Sequence, residues 1–254
     1  MTTTTGEVPM GGQIWTIFKR ELAAYFNTPL AYVFIIIFLI MNGIFTFDLG
    51  GFYIRGQADL QPFFSFHPWL YLFMIPALAM GLWADERKTG TIELLMTLPI
   101  RLRDAVVGKF LAAWVLSGIA LALTFPIWIT VNYLGSPDNG VIVAAYIGSW
   151  LMAGGFLAIG TCMSALTRNA VIAFILTVMI CFLFVASGSS IVLNAFTGWA
   201  PQWLVDSIAG LSFLTHYDAI SKGVLDIRDL LFFAAVIIAW LVAAAIVIEI
   251  KKGN

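Results

Sequence analysis

The chain has 254 residues, of which 61% are hydrophobic and 11% are charged, and its formal net charge is −1. Soluble domains carry roughly 25% charged and about 45–50% apolar residues, so this composition excludes a soluble globular enzyme and a disordered chain. The remaining class, consistent with a mean hydropathy of +0.96, is a multi-spanning membrane protein, and the balanced charge gives no indication of a nucleic-acid partner.

Six long apolar segments predict an all-α polytopic membrane protein with six transmembrane helices. About 20 mainly apolar residues are needed to cross a hydrocarbon core of about 30 Å. The predicted spans cover residues 30–47, 69–84, 105–131, 141–166, 170–190 and 230–248. Pro76 predicts a kink in the second span. Residues 191–229 are predicted to form an outer segment, long enough for one or two surface helices. The alternatives are a re-entrant segment in its first part, an extracellular gate, or a platform for a periplasmic partner.

The distribution of Lys and Arg predicts that both termini are cytoplasmic, because cytoplasmic loops carry the excess of basic residues. In that orientation the outer side carries only Arg55, Lys222 and Arg228. The inner side carries Lys19, Arg20, Arg87, Lys88, Arg101, Arg103, Lys109, Arg168, Lys251 and Lys252.

The sequence predicts no catalytic, cofactor or metal site. It contains no phosphate-binding P-loop, no H-E-x-x-H zinc motif and no G-x-S-x-G nucleophile motif. His216, Tyr217 and Asp218 are adjacent, which favours a polar turn over a metal site. Every ionisable group lies at or beyond the ends of the spans, so any energy for transport is expected to come from outside the bilayer.

The loop between the second and third spans, residues 85–104, contains a short apolar helix candidate at 91–98. Gly90 can interrupt the preceding charged turn, and Pro99 disfavours helix in the residue before it. Such a helix is almost wholly apolar in a cytoplasmic loop, so two interpretations stay open. Either it fills a groove on a partner, with Glu86, Arg87 and Lys88 forming ion pairs at the rim, or it packs beneath its own spans.

Residues 13–27 predict an amphipathic helix that lies flat in the inner interface, after a short polar, mobile tail at residues 1–12. Ile14, Trp15 and Phe18 belong to a broad apolar arc, and Lys19 and Arg20 lie opposite. Glu21 falls towards the apolar arc, which indicates a partner cation, although solvation by snorkelling is the simpler interpretation.

The fourth span has small residues at a spacing of four, Gly154, Ala158 and Cys162. This spacing predicts a close helix-packing face. The neighbour is either another subunit or a span of the same chain, and the second alternative is favoured because a helix has more neighbours within its own bundle.

The residues D-E-R-K-T-G-T-I-E-L-L-M-T-L-P at positions 85–99, followed by Gly108 and Lys109, resemble the signature of type-2 ATP-binding-cassette (ABC) permeases. The amino-terminal K-R-E-L at positions 19–22 resembles the start of the same family. Residues 213–232 are similar to the branch of gliding-motility and nitrous-oxide-reductase-maturation permeases. The threonine-rich tail is a departure from this resemblance.

The resemblance implies a permease subunit in a bacterial inner membrane, pairing with a second copy or a homologous permease. A separate cytoplasmic ABC ATPase subunit would bind ATP–Mg and drive export, and a periplasmic companion is a further expected partner. The alternative function is an ATPase-coupled scaffold for mechanical or assembly work without solute flux. The implied elbow helix includes Trp15, Phe18, Lys19, Arg20 and Glu21. The implied ATPase-docking coupling helix involves Glu86, Thr89, Gly90, Thr91, Glu93, Leu94, Leu95, Met96, Thr97 and Pro99.

Overall fold

The computed structural model describes residues 10–93, 100–189, 192–194 and 201–251, and every regular element in these ranges is helical. Five helices are long and apolar enough to span a membrane, and a sixth apolar helix is shorter. Their order matches the six predicted segments. The five are Pro29–Leu49, His67–Thr89, Leu102–Leu134, Asn139–Leu166 and Ile227–Ile250, and the shorter one is Ala170–Ala186.

Twelve α-helices lie wholly within these ranges, and the first span ends in a π-helical turn, Phe45–Leu49. In chain order they are α1 (Met10–Asn27), α2 (Pro29–Ile44), α3 (Gln61–Ser65), α4 (His67–Ala79), α5 (Gly81–Thr89), α6 (Leu102–Ala122), α7 (Phe125–Leu134), α8 (Asn139–Leu166), α9 (Ala170–Ala186), α10 (Gln202–Gly210), α11 (Phe213–Ser221) and α12 (Ile227–Ile250). Helix α1 begins at Met10, so residues 10–12 of the predicted tail are helical, and residues 1–9 lie outside the described ranges.

Helix α8 is the centre of the bundle and contacts α4, α6, α9, α11 and α12. Glycine in α8 permits this close packing, because a Cβ at Gly160 would overlap Ala79 of α4. Gly154 lies against Trp114 and Ile237 of the same chain. Ala158 and Cys162 are also buried within the bundle, so the small-residue face packs on neighbouring helices of its own chain.

Charged contacts bring five helices together at one end of the bundle, which we call the basic end. Lys109 of α6 contacts carboxylates of α1 and α5. Arg87 of α5 and Lys251 after α12 donate hydrogen bonds to Ala165 and Leu166 at the carboxyl end of α8. The helix α1 and the residue that follows α12 therefore lie at the same end of the molecule.

Within the predicted outer segment, α11 is packed into the bundle and does not lie on its surface. Phe213 and Ile220 are fully buried, and Gly148 of α8 accommodates Ile220. The Tyr217 hydroxyl donates to the Phe64 carbonyl oxygen at 2.9 Å, which ties α11 to α3. Among the residues of this segment that the structure describes, α10 has the largely exposed character expected of a surface helix.

The second span is interrupted at Met80, four residues after the proline that predicts a kink. Ser164 of α8 bridges the interruption. Its hydroxyl donates to the Met80 carbonyl oxygen at 2.7 Å and accepts from the backbone N–H groups of Trp83 and Ala84 at 3.0 Å each. A side chain of a neighbouring helix thus satisfies backbone groups that lipid could not.

Candidate functional site

A buried lysine joins three helices at the basic end. The Lys109 ammonium group lies 3.2 Å from Glu21 Oε2 of α1 and 2.7 Å from Glu86 Oε1 of α5, and only 5% of its side chain is exposed. It also lies 5.4 Å above the centre of the Trp83 ring, which adds a cation–π contact. We call Glu21, Glu86 and Lys109 the Lys109 junction.

The residue before Lys109 explains how α1 can approach α6. A Cβ at Gly108 would lie 2.8 Å from Cγ2 of Ile17, so a larger residue would push α1 away. The absence of a side chain at Gly108 lets α1 lie directly on α6. Lys109 then comes within reach of Glu21, which accounts physically for a Gly–Lys pair at this position.

The junction decides between the two interpretations of Glu21, because this residue has a partner cation. Arg20 also contacts it, with Nη2 at 2.7 Å from Glu21 Oε1. Partial burial acts to raise the pKa of Glu21, but the charges of Lys109 and Arg20 outweigh burial and hold that pKa below its usual value.

Glu86 connects the junction to the predicted docking loop. Helix α5 ends at Thr89, and Gly90 adopts a left-handed conformation with φ of 74°, which favours glycine. The Thr89 and Thr91 hydroxyls are 3.0 Å apart, and a helical turn resumes at residues 91–93, which include Glu93. Residues 94–99 lie outside the described ranges, so docking by Leu94, Leu95, Met96, Thr97 and Pro99 stays a prediction.

Two of the three predicted rim charges are engaged within the chain. Glu86 contacts Lys109, and Arg87 Nη1 donates to the Ala165 carbonyl oxygen at 2.5 Å. Lys88 is the exposed one of the three. Ion pairing at a rim is therefore a smaller part of any docking surface than the charge pattern predicts.

The aromatic side chains of α1 are arranged for an interfacial position. Trp15 and Phe18 stack with their ring centres 5.0 Å apart, and the Lys19 ammonium lies 4.8 Å from the centre of the Trp15 ring. Trp15 is exposed while Ile17 is buried against α6. One face of α1 thus packs on the bundle and another presents aromatic and basic groups outward.

The adjacent residues considered for a metal site point to three different partners. His216 contacts Asp229 at 2.6 Å, Tyr217 donates to Phe64, and Asp218 contacts Lys222. Within the described ranges no group of His, Cys, Asp and Glu residues is arranged to hold a metal ion. Cys162 and Cys181 are both buried and free.

A second buried polar assembly was not predicted from the sequence. Asn42 Nδ2 donates to the Phe38 carbonyl oxygen, so its Oδ1 accepts from His67 Nε2 at 3.0 Å. His67 Nδ1 then accepts from the Ser149 hydroxyl at 2.9 Å, and Ser149 accepts from the Tyr71 hydroxyl at 2.8 Å. This series of hydrogen bonds, which we call the His67 network, joins α2, α4 and α8. Each of its donors has an acceptor when the His67 imidazole is neutral. Asn42, a polar residue within the first apolar segment, was the sequence signal that could have indicated this network.

Comparison with known families agrees with this architecture. A family model described as ABC-2 family transporter protein matches residues 15–250, from α1 to the end of α12. The chain belongs to this family. ABC-2 permeases lack ATPase activity of their own, so membership implies a separate ATPase partner. A search of curated proteins finds no match.

Proposed function

We propose that this ABC-2 permease is one half of an exporter in a bacterial inner membrane, with both termini cytoplasmic. A second copy or a homologous permease would complete the pair. The basic residues Arg87, Lys109 and Lys251 at the basic end support this orientation, because basic residues favour the cytoplasmic side.

The observation that carries the proposed mechanism is the Lys109 junction. It ties α5, which leads into the predicted docking loop, to α6, which follows that loop, and to α1. A displacement of the loop by the ATPase would therefore move α1, α5 and the start of α6 together. The interruption at Met80, bridged by Ser164, provides a point at which α5 can change its angle to α4.

Docking itself is proposed to rest on the apolar residues of 91–98, with Leu95 central. Substituting Leu95→Asp should abolish co-purification of the ATPase, because a carboxylate in an apolar groove pays a large desolvation cost. Leu95→Met is the matched control, since it keeps volume and apolarity. Both variants should insert into the membrane normally. Undiminished co-purification of the ATPase with Leu95→Asp would contradict the docking role.

The alternative of an ATPase-coupled scaffold rests on residues 213–232, which are similar to the gliding-motility and maturation branch. Export predicts ATP-dependent flux in vesicles that contain permease and ATPase. A scaffold predicts ATP hydrolysis that depends on Leu95 without any flux. The same Leu95→Asp and Leu95→Met pair therefore serves in both assays.

A further inference from the structure

His216 of α11 lies between α10 and α12. Its Nδ1 is 2.6 Å from Asp229 Oδ1, in the first turn of α12, and its Nε2 is 3.0 Å from the carbonyl oxygen of Gly210, the last residue of α10. The ring also stacks on Phe232, with the ring centres 3.9 Å apart. Because α12 ends at the basic end, this contact between three helices lies at the opposite end of the molecule.

The two contacts of the His216 ring need two hydrogen atoms. A carboxylate and a backbone carbonyl are both acceptors, whereas a neutral imidazole has a single N–H. With Asp229 ionised, both contacts form only when the imidazole carries a proton on each nitrogen. A protonated Asp229 beside a neutral His216 holds the same number of protons, so both distributions describe one protonated pair. Loss of one proton leaves one of the two contacts without a hydrogen atom between its lone pairs.

Asp229 is the charged side chain that the described structure places in contact with His216. Asp218 of α11 contacts Lys222, and Asp206 of α10 accepts a hydrogen bond within its own helix. Helices α8 and α9 also pack against α11, and their sequences contain no acidic, basic or histidine residue. The other titratable side chains of these elements are Tyr146, Cys162, Cys181, Tyr217, Arg228 and Glu249. The two residues therefore titrate as one pair.

Helix α10 has little besides this contact to stabilise it. It has 9 residues, and isolated helices shorter than about 12–15 residues are marginal in water. Helix α10 makes no extensive packing contact with another described helix, and a side-chain bond such as that from Ser207 to Trp203 lies within the helix. The last carbonyl groups of a helix lack intrahelical donors, and positive charge is favourable there. A protonated His216 supplies both the donor and the charge at Gly210.

We propose that His216 and Asp229 form a pH-sensitive latch that holds the carboxyl end of α10 against α11 and α12. The latch is closed at acidic pH, where the pair holds both protons. When one proton is lost, the remaining N–H stays with the carboxylate, which is the stronger acceptor, and the Gly210 carbonyl loses its donor. Helix α10 then frays from its carboxyl end. In the orientation proposed above, the latch responds to the pH outside the cytoplasm.

The test measures deuterium uptake by peptides from residues 202–210 of the purified permease in detergent. The two conditions are about pH 5 and about pH 8, which bracket the charge change of histidine. Labelling times are scaled to the intrinsic exchange rate at each pH, so that protection factors can be compared. The protection factors of α10 in the wild type should be about tenfold lower at the higher pH, from the loss of one hydrogen bond to a charged group.

Three variants distinguish the latch from other effects of pH. Asp229→Asn should keep α10 protected at both pH values, because the new amide donates to Nδ1 of a neutral His216, whose Nε2–H then donates to Gly210. His216→Phe keeps a ring that can stack on Phe232 but has no donor, so α10 should be weakly protected at both pH values. The control Asp218→Asn removes an exposed carboxylate from α11 and should keep the wild-type response.

Three results would overturn the proposal. Equal protection of α10 at both pH values in the wild type would mean that no latch opens. A wild-type response in His216→Phe or in Asp229→Asn would assign the pH dependence to another group. Loss of the response in Asp218→Asn would assign it to the exposed charges of α11. The docking proposal fails separately, through Leu95→Asp, which should leave the pH response of α10 unchanged.

Discussion

Replacing Lys109 by Met tests the Lys109 junction most directly, because Met keeps an unbranched, mostly apolar side chain and removes only the charge and its hydrogen bonds. The substitution leaves Glu21 and Glu86 without their shared cation, with side-chain exposures of 17% and 20%. Glu86 Oε2 is already buried without a hydrogen-bond partner. Glu21 keeps Arg20 as a partner, so Glu86 is the more strongly affected carboxylate.

Removing one member of a buried ion pair typically costs about 3–5 kcal/mol, because the other charge stays buried. Both carboxylates retain some contact with solvent, so we expect Lys109→Met to lower the free energy of unfolding by about 2–4 kcal/mol. The triple variant Glu21→Gln/Glu86→Gln/Lys109→Met leaves no charge of the junction behind, and Arg20, which loses its partner Glu21, is 55% exposed to solvent. The triple variant should be more stable than the single variant by about 1–2 kcal/mol.

The measurement is denaturant unfolding of the purified variants in one detergent, followed by tryptophan fluorescence. Lys88→Met is the control, since it removes an exposed lysine from α5, the helix that carries Glu86, and should change stability by less than about 0.5 kcal/mol. If Lys109→Met unfolds like Lys88→Met, or if the triple variant is less stable than the single variant, the junction does not hold the three helices as we infer.

Three further perturbations probe the same end of the molecule. Gly108→Ala should destabilise the fold by about 1–3 kcal/mol, since its Cβ would lie 2.8 Å from a side-chain carbon of α1. The control Gly43→Ala has open space around the new Cβ and should not destabilise the fold. Thermal unfolding of the two variants tests this difference. Ser164→Ala should cost about 1–3 kcal/mol by leaving backbone groups at the interruption unpaired, whereas Ser117→Ala, whose hydroxyl bonds within its own helix, should cost less in the same assay. The lowered pKa of Glu21 stabilises the fold above its ordinary pKa of 4.5, and that stability is lost as the pH falls through the lower folded value. We therefore expect the full stability difference between wild type and Glu21→Gln above pH 4.5. Below that pH, the difference should shrink as Glu21 takes up a proton.

The spans and the amphipathic α1 could be predicted because their signals are local. An apolar run long enough to cross the bilayer, or an apolar arc on one helix, is complete within a single segment. The interruption of the second span was predicted only approximately. Pro76 marks the weakened turn, but Ser164, which satisfies the backbone at Met80, comes from a helix much later in the chain.

The two buried polar assemblies show where local patterns stop being informative. Glu21 on an apolar arc indicated a missing cation, yet its partner Lys109 lies 88 positions later. His67 and Ser149 are 82 positions apart, and neither is unusual in its own segment. Helix α11 lies in the predicted outer segment, where length alone allows a surface helix, but tertiary packing against α8 buries Phe213 and Ile220.

The Lys109 junction and the His67 network differ in chemistry, and this difference indicates which helices would move together when the predicted docking loop is displaced. The Lys109 junction is charged and resists separation, because parting it would leave carboxylates and an ammonium group without partners in a partly buried site. The His67 network is neutral, and leaving one of its buried donors or acceptors unpaired costs about 1–3 kcal/mol, less than the about 3–5 kcal/mol for an uncompensated buried charge. A force applied through the docking loop would therefore keep α1, α5 and α6 together at the basic end. The relative movement would fall on α2, α4 and α8 where the His67 network joins them.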